Sequence, residues 1–346
     1  MLEIDGSYGS GGGQILRTAL GLSALTEKPF RLSGIRANRP NPGLARQHLT
    51  ALKTVAELCN AEIGGAELHS TGITFKASKI IGQRLAVNIG TAGSITLLLQ
   101  SMLPLALPAE IKLRAIGGSD VMWSPPANYT SNILFPALKG MGARFKMSLL
   151  NHGYYPKGQG KILFESKSSG MPLSPLRLAK RGTLKKISLF SHATSLPEHV
   201  PKNQASSAIK ELDELGVDIA ENITSLQTGP IGCGIDLIAE FSTGARLGAN
   251  SLGKRGKPAQ EVGNEAAKKL LEELSREGAI DEHLTDQLIP FMALAKGNSE
   301  ITSTRISAHT LTNIWATEKF LDVKFEVEGG EGEPGKIKVK GAAFKY

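Results

Sequence analysis

A histidine near the C-terminus and a glycine-rich turn near the N-terminus have, together, the chemistry of a nucleophile and a phosphate seat. His309 stands in Ser307-Ala308-His309-Thr310-Leu311-Thr312-Asn313, and the turn reads Gly6-Ser7-Tyr8-Gly9-Ser10-Gly11-Gly12-Gly13. The turn lies between a short apolar start, Leu2 and Ile4, and a helical run opening at Gln14. Strand, turn and helix N-terminus make an anion seat, because free backbone N–H groups and the positive end of the helix dipole point at whatever the glycines let approach. Each feature alone has a plainer reading. Most histidines pack or face solvent without reacting, and a glycine turn is often only a tight turn. The turn also lacks the Gly-Lys-Ser/Thr ending of a P-loop and the spacing of a dinucleotide fingerprint.

A basic cluster follows. Arg36, Arg39, Arg46 and His48 fall between residues 36 and 48, and Pro40 and Pro42 set the first two on a rigid loop before a helix. Guanidinium forks match phosphate oxygens, whereas an isolated basic loop is equally well explained by solvation. The formal net charge of +8 favours an anionic partner without locating it.

Composition narrows the class. A chain of 346 residues with 41% hydrophobic content exceeds a usual single core and predicts two compact units in a soluble protein. The longest apolar region, Ile95 to Leu107, is broken by Gln100, Ser101 and Pro104, so no membrane span and no membrane partner are expected. No basic segment followed by an apolar core opens the chain, and the two cysteines, Cys59 and Cys233, have no metal-ligand spacing. These features point to the cytoplasm.

Stepping along the chain, a helix followed by a two-stranded hairpin reads three times: Leu44 to Cys59 with Glu62 to Ala77, Ala127 to Met141 with Ala143 to Ser166, and Thr310 to Phe320 with Val323 to Lys340. A further helical stretch precedes each, at Gln14 to Leu25, Ser94 to Leu103 and Asp286 to Ala295. The fold class is therefore α/β (α+β), with β-α-β-α-β-β repeats packed round a common core that gathers the helix starts. From about Arg181 the pattern changes to a strand at Lys186 to Phe190, a helix at Lys202 to Leu215, strands at Asp218 to Thr224 and Gly234 to Phe241, and a charged helix at Ala259 to Glu277. This predicts a small α/β domain over 183–277, inserted between repeats one and two (1–182) and repeat three (278–346). Its lysine- and glutamate-rich helix face reads as solvated surface.

At this point the residues resemble the RNA 3′-terminal phosphate cyclase family. The blocks are Gly6 to Arg17, Gly34 to His48, Ile89 to Gln100, Gly117 to Pro126, Gly153 to Gly160, Glu282 to Ala295 and Ser307 to Asn313, collinear and spanning the whole chain. The resemblance implies three repeats with a thioredoxin-like domain inserted before the last. It also implies a ligase that turns an RNA 3′-phosphate into a 2′,3′-cyclic phosphate, using ATP and a divalent cation, Mg²⁺ or Mn²⁺. In that reaction a histidine attacks the α-phosphorus of ATP and expels pyrophosphate, the RNA 3′-phosphate takes the AMP, and the 2′-OH closes the ring as AMP leaves.

Carried over by motif, His309 is the nucleophile, a role that suits neutral imidazole near pH 7. The resemblance assigns ATP binding to Gln100, to His283, Leu284, Thr285, Asp286 and Gln287, and to Pro125 and Tyr129 around the adenine. It assigns phosphate handling to Arg17, Arg36, Arg39, Gln47 and His48. His283 replaces the tyrosine of some members. Ser10 stands where many members carry a glutamate that helps hold the metal; serine cannot supply that charge, so weaker or altered metal preference is expected. With 5% aromatic residues, contact with only the last few nucleotides and little base preference are expected. Two alternatives share the fold: a non-catalytic RNA-binding ribosome-maturation factor, which lacks the nucleophilic histidine, and an enolpyruvate transferase, which has six repeats.

Overall fold

The computed structural model describes residues 1–170 and 172–346. The first unit runs β1 (Leu2–Asp5), α1 (Gln14–Thr26), β2 (Phe30–Ser33), α2 (Arg46–Leu58), β3 (Glu62–Gly64) and β4 (Ile73–Lys76). Alternation in Phe30-Arg31-Leu32-Ser33 and Ile73-Thr74-Phe75-Lys76 buries every second side chain, so the sheet has one core face. Its order is β1-β2-β4-β3, with β1 and β2 parallel across the α1 crossover and the rest antiparallel.

The second unit repeats this order with β5 (Arg84–Asn88), α3 (Ile95–Ala106), β6 (Lys112–Gly117), α4 (Ala127–Tyr129), α5 (Phe135–Gly140), β7 (Arg144–Asn151) and β8 (Gly160–Lys167), giving β5-β6-β8-β7. The run expected as one helix from Ala127 to Met141 contains a π turn at Thr130–Leu134. Pro136 has no N–H to give the Asn132 carbonyl, and Arg246 Nη1 donates to it instead.

Next come β9 (Arg177–Leu178), then β10 (Leu184–Thr194), α6 (His199–Leu212), β11 (Asp218–Leu226), β12 (Gly232–Phe241), β13 (Arg246–Leu252) and α7 (Ala259–Ser275). The last five strands and helices of the chain are α8 (Glu282–Leu294), β14 (Lys296–Ser303), α9 (Ala308–Phe320), β15 (Phe325–Glu328) and β16 (Gly335–Ala342). Strands β10 to β13 form a separate sheet in the order β11-β10-β12-β13, flanked by α6 and α7. Its fourth strand, β13, is absent from the sequence reading because Gly248, Asn250 and Ser251 carry no strand-like alternation; pairing with β12 fixes it.

The third sheet is ordered β15-β16-β14-β9, the same arrangement again. Its first strand is the two-residue β9, parallel to β14, too short for alternation to reveal. The α6–α7 region therefore interrupts the third unit after its first strand. Helix α1 packs on α2, α3 and α9, and α8 packs on α9, which explains why α1 is buried on nearly every side. Among the described residues no helix is long and apolar enough to cross a membrane.

Candidate active site

The starts of α1, α2, α8 and α9 converge. Helix α9 begins at Ala308, two residues earlier than the sequence pattern suggests, because the Ser307 hydroxyl accepts the Thr310 N–H at 3.1 Å. This places His309 in the first turn. Helix α8 begins at Glu282 because the Asp281 carboxylate accepts the N–H groups of His283 and Leu284 at 3.0 and 2.8 Å. The first turns of α1, α2 and α9 hold no acidic residue, so their positive ends are not neutralised locally.

The glycine turn is shaped to these neighbours. Gly9 and Gly11 have φ of +54° and +55°. A side chain at Gly9 would strike Thr312, one at Gly11 would meet Asn38, and one at Gly13 would collide with the His48 imidazole. The Ser10 N–H donates to Thr312 Oγ1 at 3.3 Å, and Asn38 Nδ2 donates to the Ser7 carbonyl at 3.2 Å. Tyr8 stacks on Trp315 of α9, with ring centres 4.1 Å apart. Turn, arginine loop and α9 are thus held as one piece.

His309 Nδ1 donates to Gln14 Oε1 at 2.8 Å, and Ser10 Oγ lies 3.4 Å from the same nitrogen. Because Nδ1 carries the proton, Nε2 carries the lone pair. Partial desolvation, then Arg17, Arg39 and His283, hold the imidazole below its ordinary pKa, against a smaller opposing pull from Glu282. His309 is nevertheless open to solvent on one side. A neutral, oriented and accessible imidazole is the form a phosphorus electrophile requires.

Positive charge surrounds it. Arg39 is exposed and reaches over Gly12. Arg17 lies in α1, where burial lowers its guanidinium to about 10, a value at which it remains charged. Its Nε has no hydrogen-bond partner among the described residues. His48 is buried, and desolvation with Arg17 and Arg36 pushes it down to about 3, so it stays neutral. Arg36 and Gln47 have other commitments as well: Arg36 Nη1 donates to the Gly43 carbonyl at 2.9 Å, and Gln47 Oε1 accepts the Ser94 N–H at 3.1 Å, beside the α3 start.

Gln100, Asp286 and Gln287 meet Gln14, Arg17 and Asn313 around a cavity of about 30 Å³, space for little more than a water. Burial raises the Asp286 carboxyl to about 7, with His283 and Arg17 pulling it back. Gln287 Nε2 donates to the His283 carbonyl at 2.8 Å, leaving Oε1 buried and without a partner among the described residues. His283 is exposed. Leu284 and Thr285 point into the third unit, Thr285 Oγ1 donating to Ser303 Oγ at 2.8 Å. Pro125 and Tyr129 do not line this cavity. The Pro125 carbonyl accepts from Thr96, and the buried Tyr129 donates to Asp281 at 2.6 Å with its ring against Gly248.

Sequence reasoning passed over Gln14, Thr18, Thr312 and Asn313. Thr18 Oγ1 donates to Asn313 Oδ1 at 2.5 Å, and Asn313 Nδ2 donates to the Asp286 carbonyl at 2.6 Å, tying α1, α8 and α9 together. Gln14 directly follows the three glycines, and Thr312 and Asn313 directly follow His309; that adjacency was the available signal.

A family model described as RNA 3′-terminal phosphate cyclase matches residues 8–327. Proteins named RNA 3′-terminal phosphate cyclase are similar along the whole length. That of Methanopyrus kandleri is 45% identical, over 98% of this chain and 99% of its own. That of Methanosarcina barkeri is 47% identical, over 96% and 98%, and that of Pyrococcus furiosus 44%, over 98% of each. The solved enolpyruvyl transferase NikO from Streptomyces tendae aligns with 100% of this chain and 83% of its own at 10% identity and a TM-score of 0.26, too slight a likeness to bear on the fold. With this match over nearly all its residues, the chain belongs to the RNA 3′-terminal phosphate cyclase family.

Proposed function

We propose that the protein is an ATP-dependent RNA 3′-phosphate cyclase of the cytoplasm and that His309 is its adenylated nucleophile. The observation that carries this reading is the imidazole itself: Nδ1 fixed on Gln14, Nε2 free, the ring neutral and beside Arg17 and Arg39. His309 Nε2 attacks the α-phosphorus of ATP, a P–N bond forms, and pyrophosphate leaves with the electrons of the broken P–O bond. The proton on Nδ1 stays on the ring and against the Gln14 oxygen. The resulting charged phosphoramidate is a good leaving group, so an oxygen of the RNA 3′-phosphate displaces histidine and takes the AMP. The neighbouring 2′-OH then attacks the activated 3′-phosphorus, loses its proton, and AMP departs.

Arg17, Arg39 and the amides of the glycine turn supply positive charge where it grows on the transferred group. Gln100, His283, Asp286 and Gln287 lie beside this seat and suit the nucleoside. Arg36, Gln47 and His48 act by holding the loop and helix starts. A divalent cation, Mg²⁺ or Mn²⁺, suits the ATP phosphates. Because Ser10 offers a hydroxyl and no charge, the phosphates and water supply most of its ligands. RNA is bound through its terminal phosphates, and the exposed rings of Trp123 and Tyr155 can stack on end bases.

Residues 1–182 and 278–346 form the catalytic body in this reading and 183–277 an accessory domain; β9 and β14 closing one sheet across the cut support it. Incubation with ATP radiolabelled at the α-phosphate tests the function. A covalent, acid-labile and alkali-stable label, passed to 3′-phosphorylated RNA on chase, is expected. A non-catalytic RNA-binding relative would take no label.

A further inference from the structure

Away from His309, four ionisable side chains are buried where the second unit meets the α6–α7 region. Asp120 follows β6 and His152 follows β7. His192 lies in β10 and Asp236 in β12. Their side chains are 0%, 9%, 2% and 4% exposed. Burying two carboxylates and two imidazoles is costly unless every charge and lone pair finds a partner.

Most do. Asp120 Oδ2 accepts from Ser119 Oγ at 2.5 Å and pairs with His152 Nδ1 at 2.7 Å. Asp236 Oδ2 accepts from Asn128 at 2.8 Å, and His192 Nδ1 meets the Tyr154 hydroxyl at 2.7 Å. Two atoms are left over: Asp120 Oδ1 and His192 Nε2 are buried and have no hydrogen-bond partner among the described residues. They face each other at 3.6 Å, and Asp236 Oδ2 is also 3.6 Å from His192 Nε2.

That spacing is too long for a hydrogen bond. It is close to the distance of roughly 3.3 Å between two ligand atoms of a tetrahedral ion with bonds of about 2.0 Å. If Nδ1 donates to Tyr154, the Nε2 lone pair faces carboxylate lone pairs across an empty gap. If Nε2 is protonated instead, its N–H reaches neither oxygen. Either arrangement leaves a place for a cation. Ligand atoms of Asp120, His152 and His192 all lie within 4.8 Å of one another. Their other polar atoms are gripped by Ser119 and Tyr154, the outer support that orients metal ligands.

We propose that Asp120, His152 and His192, with Asp236 alongside, bind a borderline divalent transition-metal ion of the Zn²⁺ type that fastens the α6–α7 region to the second unit. Mixed imidazole and carboxylate donors select such an ion over Mg²⁺ or Ca²⁺, which take oxygen ligands. None of the four residues belongs to the group around His309, so this ion is separate from the cation that accompanies ATP. The site stands whether or not His309 is adenylated.

The test uses the full-length protein stripped with chelator and then titrated with Zn²⁺, and separately with Co²⁺, whose visible absorption reports tetrahedral nitrogen and oxygen ligation. Expected are about one ion per chain, a rise in melting temperature on Zn²⁺ addition, and a loss of affinity of about tenfold or more in both His192→Ala and Asp120→Asn. If the variants do not fold, zinc-edge X-ray absorption on the loaded wild type still decides, by showing two imidazole ligands or none. Wild type that takes up no ion, or Co²⁺ spectra unchanged in folded His192→Ala, would overturn the proposal and leave a proton-sharing network in its place.

Discussion

Two histidines in this molecule show how the same side chain is turned to opposite uses. His309 sits open to solvent among guanidinium groups, with a neutral amide on Nδ1. His192 is sealed, with a hydroxyl on Nδ1 and carboxylates on two sides of Nε2. In both, one ring nitrogen is fixed and the other is free, so orientation does not distinguish them. The surrounding charge does. Cations around His309 offer its lone pair to an incoming anion, whereas carboxylates around His192 offer its lone pair to a cation.

The strongest attempt to break this contrast is His309→Ala. Label from α-phosphate-labelled ATP is expected to vanish while the cooperative melt persists, because an exposed ring contributes little to the core. Label surviving on another residue would remove His309 from the chemistry. Next in size is Arg39→Ala. Arg39 is exposed and its removal should leave stability within about 0.5 kcal/mol. Loss of positive charge beside the transferred group should lower cyclisation by about 10²–10³-fold. Cyclisation at the wild-type rate would exclude the arginine loop from the site.

A third change separates orientation from charge. Gln14→Leu keeps the buried volume but removes the oxygen that accepts from His309 Nδ1. Self-labelling should slow about tenfold, chiefly in kcat with the KM for ATP little changed. That oxygen stabilises the protonated ring more than the neutral one, so its removal should also carry the acid limb of the pH–rate profile to lower pH. In wild type, the depressed pKa of His309 already keeps the rate flat through neutral pH. A slower enzyme with an unmoved acid limb would assign Gln14 a packing role alone.

Much of this arrangement could be read from residue types, and the rest depends on contacts between distant segments. Alternation and helical period located most helices and hairpins, since burial of one face leaves its mark on every second or fourth residue. Strand β9 has two residues and β13 has small polar ones, so neither carries that mark; each exists because a neighbouring strand supplies its hydrogen bonds. His309 and Arg39 were legible as chemistry in search of a partner. Gln14 was not, because a glutamine at a helix start has many uses until a residue 295 positions away is found at 2.8 Å. The role inferred for Tyr129 from family resemblance shows the reverse case: its type suits stacking on a base, while its place here is between Asp281 and Gly248.

Two neighbours of the site should leave opposite marks on stability. His48 falls to about 3 in the folded state from an ordinary value near 6.5, so the unfolded chain binds the extra proton between these values. Its contribution is complete above about pH 6.5 and is lost as pH falls towards 3, at up to about 1.4 kcal/mol per pH unit. Asp286 is raised to about 7, so the folded chain keeps a proton that the unfolded chain releases, and stability is lost as pH rises from about 4 to 7. The two effects offset each other in that window. Relative to wild type, His48→Asn should lose stability with rising pH there, and Asp286→Asn with falling pH. Parallel melting-temperature profiles for all three proteins would show that neither group titrates as described.

The smallest effect expected is also the one that joins the two halves of the contrast. Ser10→Glu places a carboxylate where a hydroxyl now lies 3.4 Å from His309 Nδ1, and so gives the nucleophile an anionic neighbour of the kind that surrounds His192. A few-fold drop in the midpoint of the Mg²⁺ or Mn²⁺ titration of self-labelling is expected, because the new carboxylate can bind the cation directly. The same charge favours the imidazolium form, so in the absence of bound metal the acid limb should move to higher pH. Added cation should move it back, since a carboxylate bound to metal no longer pulls a proton onto the ring. A midpoint equal to that of wild type would mean that the position of Ser10 does not reach the metal, and an unmoved acid limb would mean that it does not reach His309.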